Sequence, residues 1–160
     1  MTSALHHEAE LVIAIGKEGL RITPENALSH VFGYAIGCDL TRRDLQSKAK
    51  KLAQPWATAK GFDYSAPCGP IVPADEVQLS ANAAISLSIN GRMRQDSTIN
   101  KMIWSIPEII SILSKYFKLK PGDLIFTGTP EGVAAIVKGD VVRVECSNLP
   151  PCVFEVGEEE

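Results

Sequence analysis

Two glutamates near the start of the chain and one aspartate further along have the types and spacing of a metal site. Glu8 and Glu10 lead into the apolar run 11–15 with the alternation of a strand. Alternate strand residues project from one side about 6 to 7 Å apart, so both carboxylates can reach a single ion. Asp39 ends the apolar segment 34–38 and adds a third carboxylate. Three carboxylates without a Cys or His partner favour Mg²⁺, Mn²⁺ or Ca²⁺ over zinc.

Each of these acids also has an ordinary structural interpretation. Glu8 and Glu10 could form the solvated face of a strand, and Asp39 could cap the helix that follows it. His6 and His7 directly precede the acids. Because adjacent strand residues point to opposite faces, at most one of the two histidines could join the site, and we assign neither to it.

Two further positions could hold an anionic substrate. Lys60 is either a clamp for a substrate carboxylate or an ordinary surface lysine, and the sequence alone favours the surface lysine. Gly128, Thr129 and Pro130 follow a short apolar segment. They are typical of a tight turn that presents a hydroxyl and backbone N–H groups to an anion. The spacing of a phosphate-binding Walker loop is absent from the sequence.

The elements that must position these residues are predicted mainly as strands. Apolar residues alternate or run together, as strands require, over residues 8–15, 34–38, 124–127 and 141–144. The clearest segment is a β-hairpin over 83–95, which turns at the pair Asn90 and Gly91 that type I′ turns favour.

Two short helices are predicted in the part of the chain that contains Asp39. One precedes Asp39, and the other lies between Asp39 and Lys60. The first follows the N-cap motif 23–25 and ends near Gly33. The second is a basic helix around 48–51, opened by a capping box that Thr41 forms with Asp44.

A third helix covers the sheet, and the whole pattern forms one unit. Ser105 and Glu108 form a capping box for this helix, which reaches Phe117. Residues 54–73 form an irregular loop, and an acidic, frayed tail begins at about 155. The sequence therefore predicts a single β-dominated α+β domain over residues 1–160, with short helices at its edges.

Composition excludes several classes of function. The 160 residues are 45% hydrophobic and carry a net charge of −3, with scattered basic residues, so nucleic acid is excluded as a partner. There is no apolar run of roughly 20 residues and no signal-peptide pattern, which excludes a membrane partner and favours a cytoplasmic protein. The cysteines lack a C-x-x-C pair and are predicted to be reduced thiols; they are Cys38, Cys68, Cys146 and Cys152.

Five segments of the chain form an ordered set, which is HHEAELVIAIGK, GYAIGCDLTRRDLQ, PWATAKGFDYSAPCGP, LSINGRMRQDSTINKMIWSIPEIISILSKYFKLKPGD and LIFTGTPEGV. In this order and with this spacing, they resemble the fumarylacetoacetate hydrolase family, above all its small acylpyruvate hydrolase and oxaloacetate decarboxylase branch. The resemblance covers nearly the whole chain. It implies the family's C-terminal-domain fold, a mixed β-sandwich or roll with short peripheral helices.

The resemblance also implies a role for individual residues. Glu8, Glu10 and Asp39 match the family's ligands for Mg²⁺ or Mn²⁺, in agreement with the reading from strand geometry. Positions that line the substrate pocket in the family are matched by Arg43, Gln46, Lys60 and Thr129. Of these, Lys60 is expected near the metal, and Thr129 is expected to hold a carboxylate or oxo group of a small 2-oxo acid.

The implied chemistry is cleavage of a C–C bond in acylpyruvate-type 2-oxo acids through a metal-stabilised enolate. The same enolate would serve oxaloacetate decarboxylation or the isomerisation of a 2-oxo acid. Family members are typically homodimers, and the apolar stretches 103–104 and 150–154 could form the surface that a second copy covers.

The sequence departs from the family pattern at two places. Family members carry a lid segment before the HHE-x-E strand, with a His and a Glu that position the catalytic water, and no residue here matches that pair. A non-catalytic, metal-binding relative is therefore a further expectation. After GTPEGV, Ala134 and Ala135 replace the usual Gly-Pro, which changes the expected shape of that loop.

Overall fold

The computed structural model describes residue 2 and residues 4–157. The described residues form ten strands, which are β1 (Leu5–His6), β2 (Ala9–Ile15), β3 (Val31–Cys38), β4 (Thr41–Arg42), β5 (Val72–Pro73), β6 (Ala84–Ile89), β7 (Arg92–Thr98), β8 (Leu124–Phe126), β9 (Val141–Cys146) and β10 (Cys152–Glu155). Their helices are α1 (Pro24–Ala27), α2 (Arg43–Lys51), α3 (Ala57–Lys60) and α4 (Ile106–Tyr116), with 3₁₀ turns at Leu28–His30 and Ile99–Lys101.

Two four-stranded sheets form the body of the protein. One has the strand order β5-β3-β2-β8 and the other the order β10-β9-β6-β7, and each neighbouring pair is antiparallel. Alternate residues of β2 and of β6 enter one continuous apolar core, among them Leu11, Ile13 and Leu87. Burial of such side chains, at about 25 cal/mol per Å² of apolar surface, is what holds the two sheets together.

The pairing of β2 with β3 brings distant acidic positions to one end of a sheet. Ala9 pairs with Cys38 and Glu10 with Gly37, so the start of β2 lies beside the end of β3. A Cβ at Gly37 would lie 2.9 Å from the side chains of Val12 and Phe126, which explains why this position of the crowded face carries no side chain. The backbone N–H of Asp39 donates to the carbonyl of Glu8 over 2.8 Å and extends the pairing beyond β3.

The predicted hairpin and the predicted cap of α4 are confirmed. Asn90 and Gly91 have φ angles of 50° and 76°, both positive, as a type I′ turn requires. The Ser105 hydroxyl accepts from the backbone N–H of Glu108, and the Glu108 carboxylate accepts from the backbone N–H of Ser105, which together form a capping box.

Two predictions about helix boundaries are wrong. The helix predicted to end near Gly33 stops earlier, because Val31 already pairs with Ile15 and Gly33 with Ala14 of β2. The capping box of Thr41 with Asp44 does not form: Arg42 is the N-cap of α2. Thr41 lies in β4 instead, with its hydroxyl fully buried in a tertiary contact.

The chain continues as a strand where the sequence predicted a tail. Cys152–Glu155 pairs antiparallel with β9, and the backbone N–H of Val156 donates to the carbonyl of Asp140 over 2.9 Å. Glu155 therefore belongs to a sheet, because apolar side chains of β10 face the core. Residues 158–160 of the predicted tail lie outside the described residues.

Two further features of the described residues concern membrane-spanning helices and the state of the cysteines. Among the residues described, no helix has the length and apolar character that crossing a bilayer demands. All four cysteines are free thiols, as predicted.

Candidate metal centre

Three carboxylates from the ends of β2 and β3 converge on one point. Glu8 precedes β2, Glu10 is its second residue and Asp39 directly follows β3. One oxygen from each carboxylate lies within 4.8 Å of one from each of the others. Glu8 and Glu10 are buried and Asp39 is partly exposed. The structure therefore brings together the three acids that strand geometry singled out.

Lys60 reaches this cluster from the end of α3. Its ammonium lies 2.7 Å from Glu8 Oε2, 2.5 Å from Asp39 Oδ2 and 2.7 Å from Thr41 Oγ1. Its interpretation as an ordinary surface lysine, which the sequence alone favoured, is wrong. The residue that the sequence assigned to a cap, Thr41, instead accepts one of the hydrogen bonds from this ammonium.

Arg43 supplies a second positive charge from the first turn of α2. Its Nη2 donates to Glu8 Oε1 over 2.5 Å, and its Nη1 donates to Gln46 Oε1 over 2.6 Å. Because Gln46 is itself buried, this hydrogen bond holds the guanidinium of Arg43 beside Glu8. The four residues Glu8, Arg43, Gln46 and Lys60 thus form one connected polar group beside Asp39.

The three acids do not share the positive charge equally. Burial raises the pKa of Glu8, but hydrogen bonds from Lys60 and Arg43 outweigh burial and place this pKa below its ordinary value. Burial, followed by the charges of Asp39 and Glu8, raises the pKa of Glu10 to about 7, although a hydrogen bond from the Gly128 N–H opposes the rise. Glu10 is therefore the acid whose negative charge is least compensated.

This donor set fits a hard divalent cation. All three ligand groups offer carboxylate oxygens, and no sulfur or imidazole ligand joins them in the cluster. A dication would compensate the charge of Glu10 and also that of Asp39, because burial raises the pKa of Asp39 despite its hydrogen bond from Lys60. Mg²⁺ and Mn²⁺ match this set, and Ca²⁺ differs from them chiefly in its larger coordination number.

The turn after β8 lies against Glu10. The backbone N–H of Gly128 donates to Glu10 Oε2 over 2.7 Å, and Gly128 has a φ of 97° that favours glycine. Thr127 anchors the turn, because its backbone N–H and its hydroxyl both donate to the carbonyl of Leu11. The turn therefore contacts Glu10 through Gly128, and the next residue, Thr129, accepts a hydrogen bond from the side-chain amide of Gln95 over 2.8 Å.

Gln95 is a buried residue of this region that sequence reasoning missed. Its side-chain amide contacts His7, Ala9, Thr129 and Pro130. The only sequence signal is a polar residue at an inward-facing position of a strand, which by itself does not distinguish it from its neighbours. Within the described structure, neither His6 nor His7 forms a hydrogen bond with the three acids.

This turn also lines an apolar cavity of about 420 Å³. Leu11 lines it, and Leu11 projects from the opposite face of β2 to Glu10. Ile103 and Trp104 line the same cavity and are 91% and 54% exposed. None of the three acids lines this cavity, but the turn that lines it also contacts Glu10 through Gly128.

Residues 1–157 match the family described as Fumarylacetoacetate (FAA) hydrolase C-terminal. The chain belongs to this family. Membership in the fumarylacetoacetate hydrolase family confirms the resemblance found in the five sequence segments and the β-dominated fold that it implied.

Two relatives with different activities cover most of the chain. It is 45% identical over 159 residues to a fumarylpyruvate hydrolase of Ralstonia sp, spanning 99% of this chain and 82% of that protein. It is 38% identical over 148 residues to a mitochondrial oxaloacetate decarboxylase of Dictyostelium discoideum, spanning 92% of this chain and 68% of that protein.

A solved member of the family has nearly the same fold. The crystal structure of fumarylpyruvate hydrolase from Pseudomonas aeruginosa, in complex with Mn²⁺ and pyruvate, superposes with a TM-score of 0.96 at 48% identity. The superposition covers 99% of this chain and 68% of the Pseudomonas chain.

Proposed function

We propose that this fumarylacetoacetate hydrolase family member is a divalent-metal-dependent hydrolase that cleaves a C–C bond in small acylpyruvate-type 2-oxo acids. The observation that carries the proposal is the convergence of Glu8, Glu10 and Asp39 with the cations of Lys60 and Arg43. The similarity to a fumarylpyruvate hydrolase whose structure contains Mn²⁺ and pyruvate supports the same assignment.

Glu8, Glu10 and Asp39 would hold the metal ion. Bound Mg²⁺ or Mn²⁺ supplies Lewis acidity toward the oxygens of a 2-oxo acid, and Ca²⁺ would bind the same ligands. The hard, anionic oxygens of such a substrate suit the mixture of a dication and two nearby side-chain cations.

The cationic side chains would bind the substrate and its developing charge. Hydrolysis adds water to the distal acyl carbonyl and breaks the bond to C3, so the electron pair passes through C3 to the 2-oxo oxygen as an enolate. Lys60 and Arg43 provide positive charge on that side of the cluster, where such charge stabilises an enolate and a carboxylate. Gln46 keeps the guanidinium of Arg43 in place through their 2.6 Å hydrogen bond.

Thr129 would hold the substrate carboxylate or oxo group. Its hydroxyl oxygen accepts a hydrogen bond from the side-chain amide of Gln95 over 2.8 Å. Because that bond uses an oxygen lone pair, the hydroxyl proton stays available to donate to an anion.

Oxaloacetate decarboxylation is the second candidate, and the Dictyostelium relative favours it. Loss of carbon dioxide from oxaloacetate also leaves the enolate of pyruvate, so the same residues would serve both reactions. Proton transfer alone, on an intact 2-oxo acid whose C–C bonds all remain, would be keto-enol or double-bond isomerisation.

The test compares pyruvate release from acetylpyruvate and from oxaloacetate with added Mn²⁺ or Mg²⁺, after subtraction of the metal-only rate. We expect acetylpyruvate cleavage that Glu10→Ala abolishes and that Glu76→Gln, at an exposed acid, leaves unchanged. Turnover of oxaloacetate alone would make the chain a decarboxylase. Binding of Mn²⁺ without turnover of either substrate would make it a non-catalytic relative.

We further propose that the protein is a cytoplasmic homodimer. Ile103 and Trp104 form an exposed apolar edge of the 420 Å³ cavity, and Val153 is 51% exposed on β10. Large exposed apolar side chains of this kind are common where a second copy packs. Analytical ultracentrifugation should give twice the mass of one chain for the unmodified protein and the mass of one chain for Ile103→Glu. The mass of one chain for the unmodified protein would contradict the dimer.

A further inference from the structure

The side chain of Gln95 satisfies its whole hydrogen-bonding capacity inside the protein. The residue is 1% exposed. Its Oε1 lies 3.0 Å from His7 Nδ1 and 3.0 Å from the backbone nitrogen of Ala9. Its Nε2 donates to Thr129 Oγ1 over 2.8 Å and to the carbonyl of Pro130 over 2.9 Å. Two acceptor sites and two N–H groups are all that a glutamine amide offers.

These partners allow the amide only one orientation. A backbone N–H can only donate and a backbone carbonyl can only accept, so Oε1 must face Ala9 and Nε2 must face Pro130. It follows that His7 carries its proton on Nδ1 and donates it to Oε1. It also follows that the Thr129 hydroxyl accepts from Gln95 and is free to donate elsewhere.

A local irregularity of β7 aims this side chain inward. Leu87 of β6 pairs with Gln95 and Ser88 pairs with Met93, so Arg94 is left as the extra residue of a β-bulge. Bulges of this kind redirect the neighbouring side chain. Gly132 lies against the bulge, because a Cβ there would be 2.3 Å from the carbonyl oxygen of Arg94. The turn that contains Thr129 is therefore packed onto the segment that presents Gln95.

We infer that Gln95 is a positioning residue that joins the ligand strand β2 to the substrate-binding turn. It fixes the distance between Ala9, which separates the ligands Glu8 and Glu10, and Thr129. It also orients the Thr129 hydroxyl so that its proton points away from Gln95. The part of this inference that concerns substrate rests on the proposed function, whereas the link between β2 and the turn does not.

The variant Gln95→Glu keeps the hydrogen bonds to β2 and removes those to the turn that contains Thr129. A carboxylate still accepts from Ala9 and His7, but it cannot donate two hydrogen bonds to Thr129 and Pro130. We expect the affinity for Mn²⁺ to stay within about threefold and KM for acetylpyruvate to rise about tenfold, with a smaller change in kcat. The same exchange at an exposed position, Gln78→Glu, is the matched control and should change neither.

A double-mutant cycle with Thr129→Val tests whether Gln95 acts through Thr129. If it does, Gln95→Glu adds less than twofold to the KM of the Thr129→Val protein. Multiplication of the two effects on KM, or an equal loss of Mn²⁺ affinity, would show that Gln95 only supports the fold and would overturn the inference.

Amide hydrogen exchange in the metal-free protein keeps the inference distinguishable from the proposed function. Gln95→Glu should accelerate exchange in residues 127–133 at least about tenfold and leave residues 9–15 unchanged. If the unmodified protein turns over no 2-oxo acid, the proposed function fails, and this exchange pattern still decides the positioning role. Equal exchange of residues 127–133 in both proteins would overturn it.

Discussion

The ammonium of Lys60 lies 2.5 Å from Asp39 Oδ2, inside a cluster of three carboxylates. The same ammonium donates to Glu8, which also accepts a hydrogen bond from Arg43. The two cations therefore contact Glu8 and Asp39 rather than Glu10. Glu10 keeps a pKa of about 7 because burial and its two acidic neighbours outweigh the hydrogen bond from Gly128. Side-chain cations therefore neutralise the negative charge of the cluster only in part.

Replacing Lys60 by methionine should destabilise the metal-free protein by about 1 to 2 kcal/mol, because Glu8 and Asp39 lose a partly buried cation. Saturating Mn²⁺ should reduce the difference, since the ion supplies the missing positive charge. Urea unfolding with chelator and with Mn²⁺ measures both values. Lys48→Met, at an exposed lysine of α2, is the control. An unchanged midpoint for Lys60→Met in chelator would contradict the role of this ion pair.

Replacing Asp39 by asparagine should weaken Mn²⁺ binding at least about 100-fold, because a neutral amide oxygen replaces one of three anionic ligands. Isothermal titration calorimetry of the folded variant measures the affinity. Asp75→Asn removes an exposed acid and should leave the affinity unchanged. Equal affinities for Asp39→Asn and the unmodified protein would exclude Asp39 as a ligand.

The contribution of Glu10 to the stability of the metal-free protein should fall as pH rises from about 5 to 7. The pKa of Glu10 is about 7 in the folded protein, above its ordinary value of 4.5. Between these values the folded state holds more protons than the unfolded chain, so the free energy of unfolding decreases with pH. Ionisation of Glu10 lowers the free energy of unfolding by about 3 kcal/mol in all, and this loss is complete above pH 7.

The measurement is urea unfolding in chelator at pH 5 and pH 8, with Glu10→Gln as the comparison. The variant cannot ionise at this position and should lose less stability over the same range. Mn²⁺ should bind the unmodified protein more tightly at pH 8 than at pH 6, because the ion displaces the proton. Identical pH profiles for the two proteins would show that Glu10 does not titrate in this range.

Removing the cap of α4 with Ser105→Ala should lower the free energy of unfolding by about 1 kcal/mol. The reason is local, since the hydroxyl and the Glu108 carboxylate satisfy backbone groups at the helix start. Thermal unfolding followed by circular dichroism measures the loss, and Ser105→Thr should restore most of it. Turnover below the transition should not change, because Ser105 is exposed and belongs to none of the contacts of the metal cluster. A loss of turnover without a loss of stability would argue against this separation.

Local patterns were sufficient for several features. Alternation along β2 predicted that Glu8 and Glu10 share one side, and Asn90 with Gly91 predicted the turn. Ser105 with Glu108 predicted the start of α4. In each case the interacting residues lie within a few positions of one another, so their geometry follows from strand or helix periodicity alone.

Local patterns failed where a tertiary contact took over a side chain. Thr41 has the spacing of an N-cap, but its hydroxyl accepts from Lys60, which is 19 residues away. Residues 31–33 follow a helix signal, yet their backbone groups are satisfied by pairing with β2. The competing partner in both cases lies far along the chain, where neither propensity nor spacing indicates it.

The sequence by itself determined the identity of the acids, the turn and cap chemistry, and the family pattern that runs through nearly the whole chain. Only the tertiary structure decided that Lys60 and Asp39 form an ion pair and that Gln95 joins His7, 88 residues away, to Thr129. Periodicity describes which face of an element a side chain occupies. Which faces then meet, and which buried polar groups find partners, is decided by how the two sheets pack and by the requirement that buried hydrogen-bonding groups be satisfied.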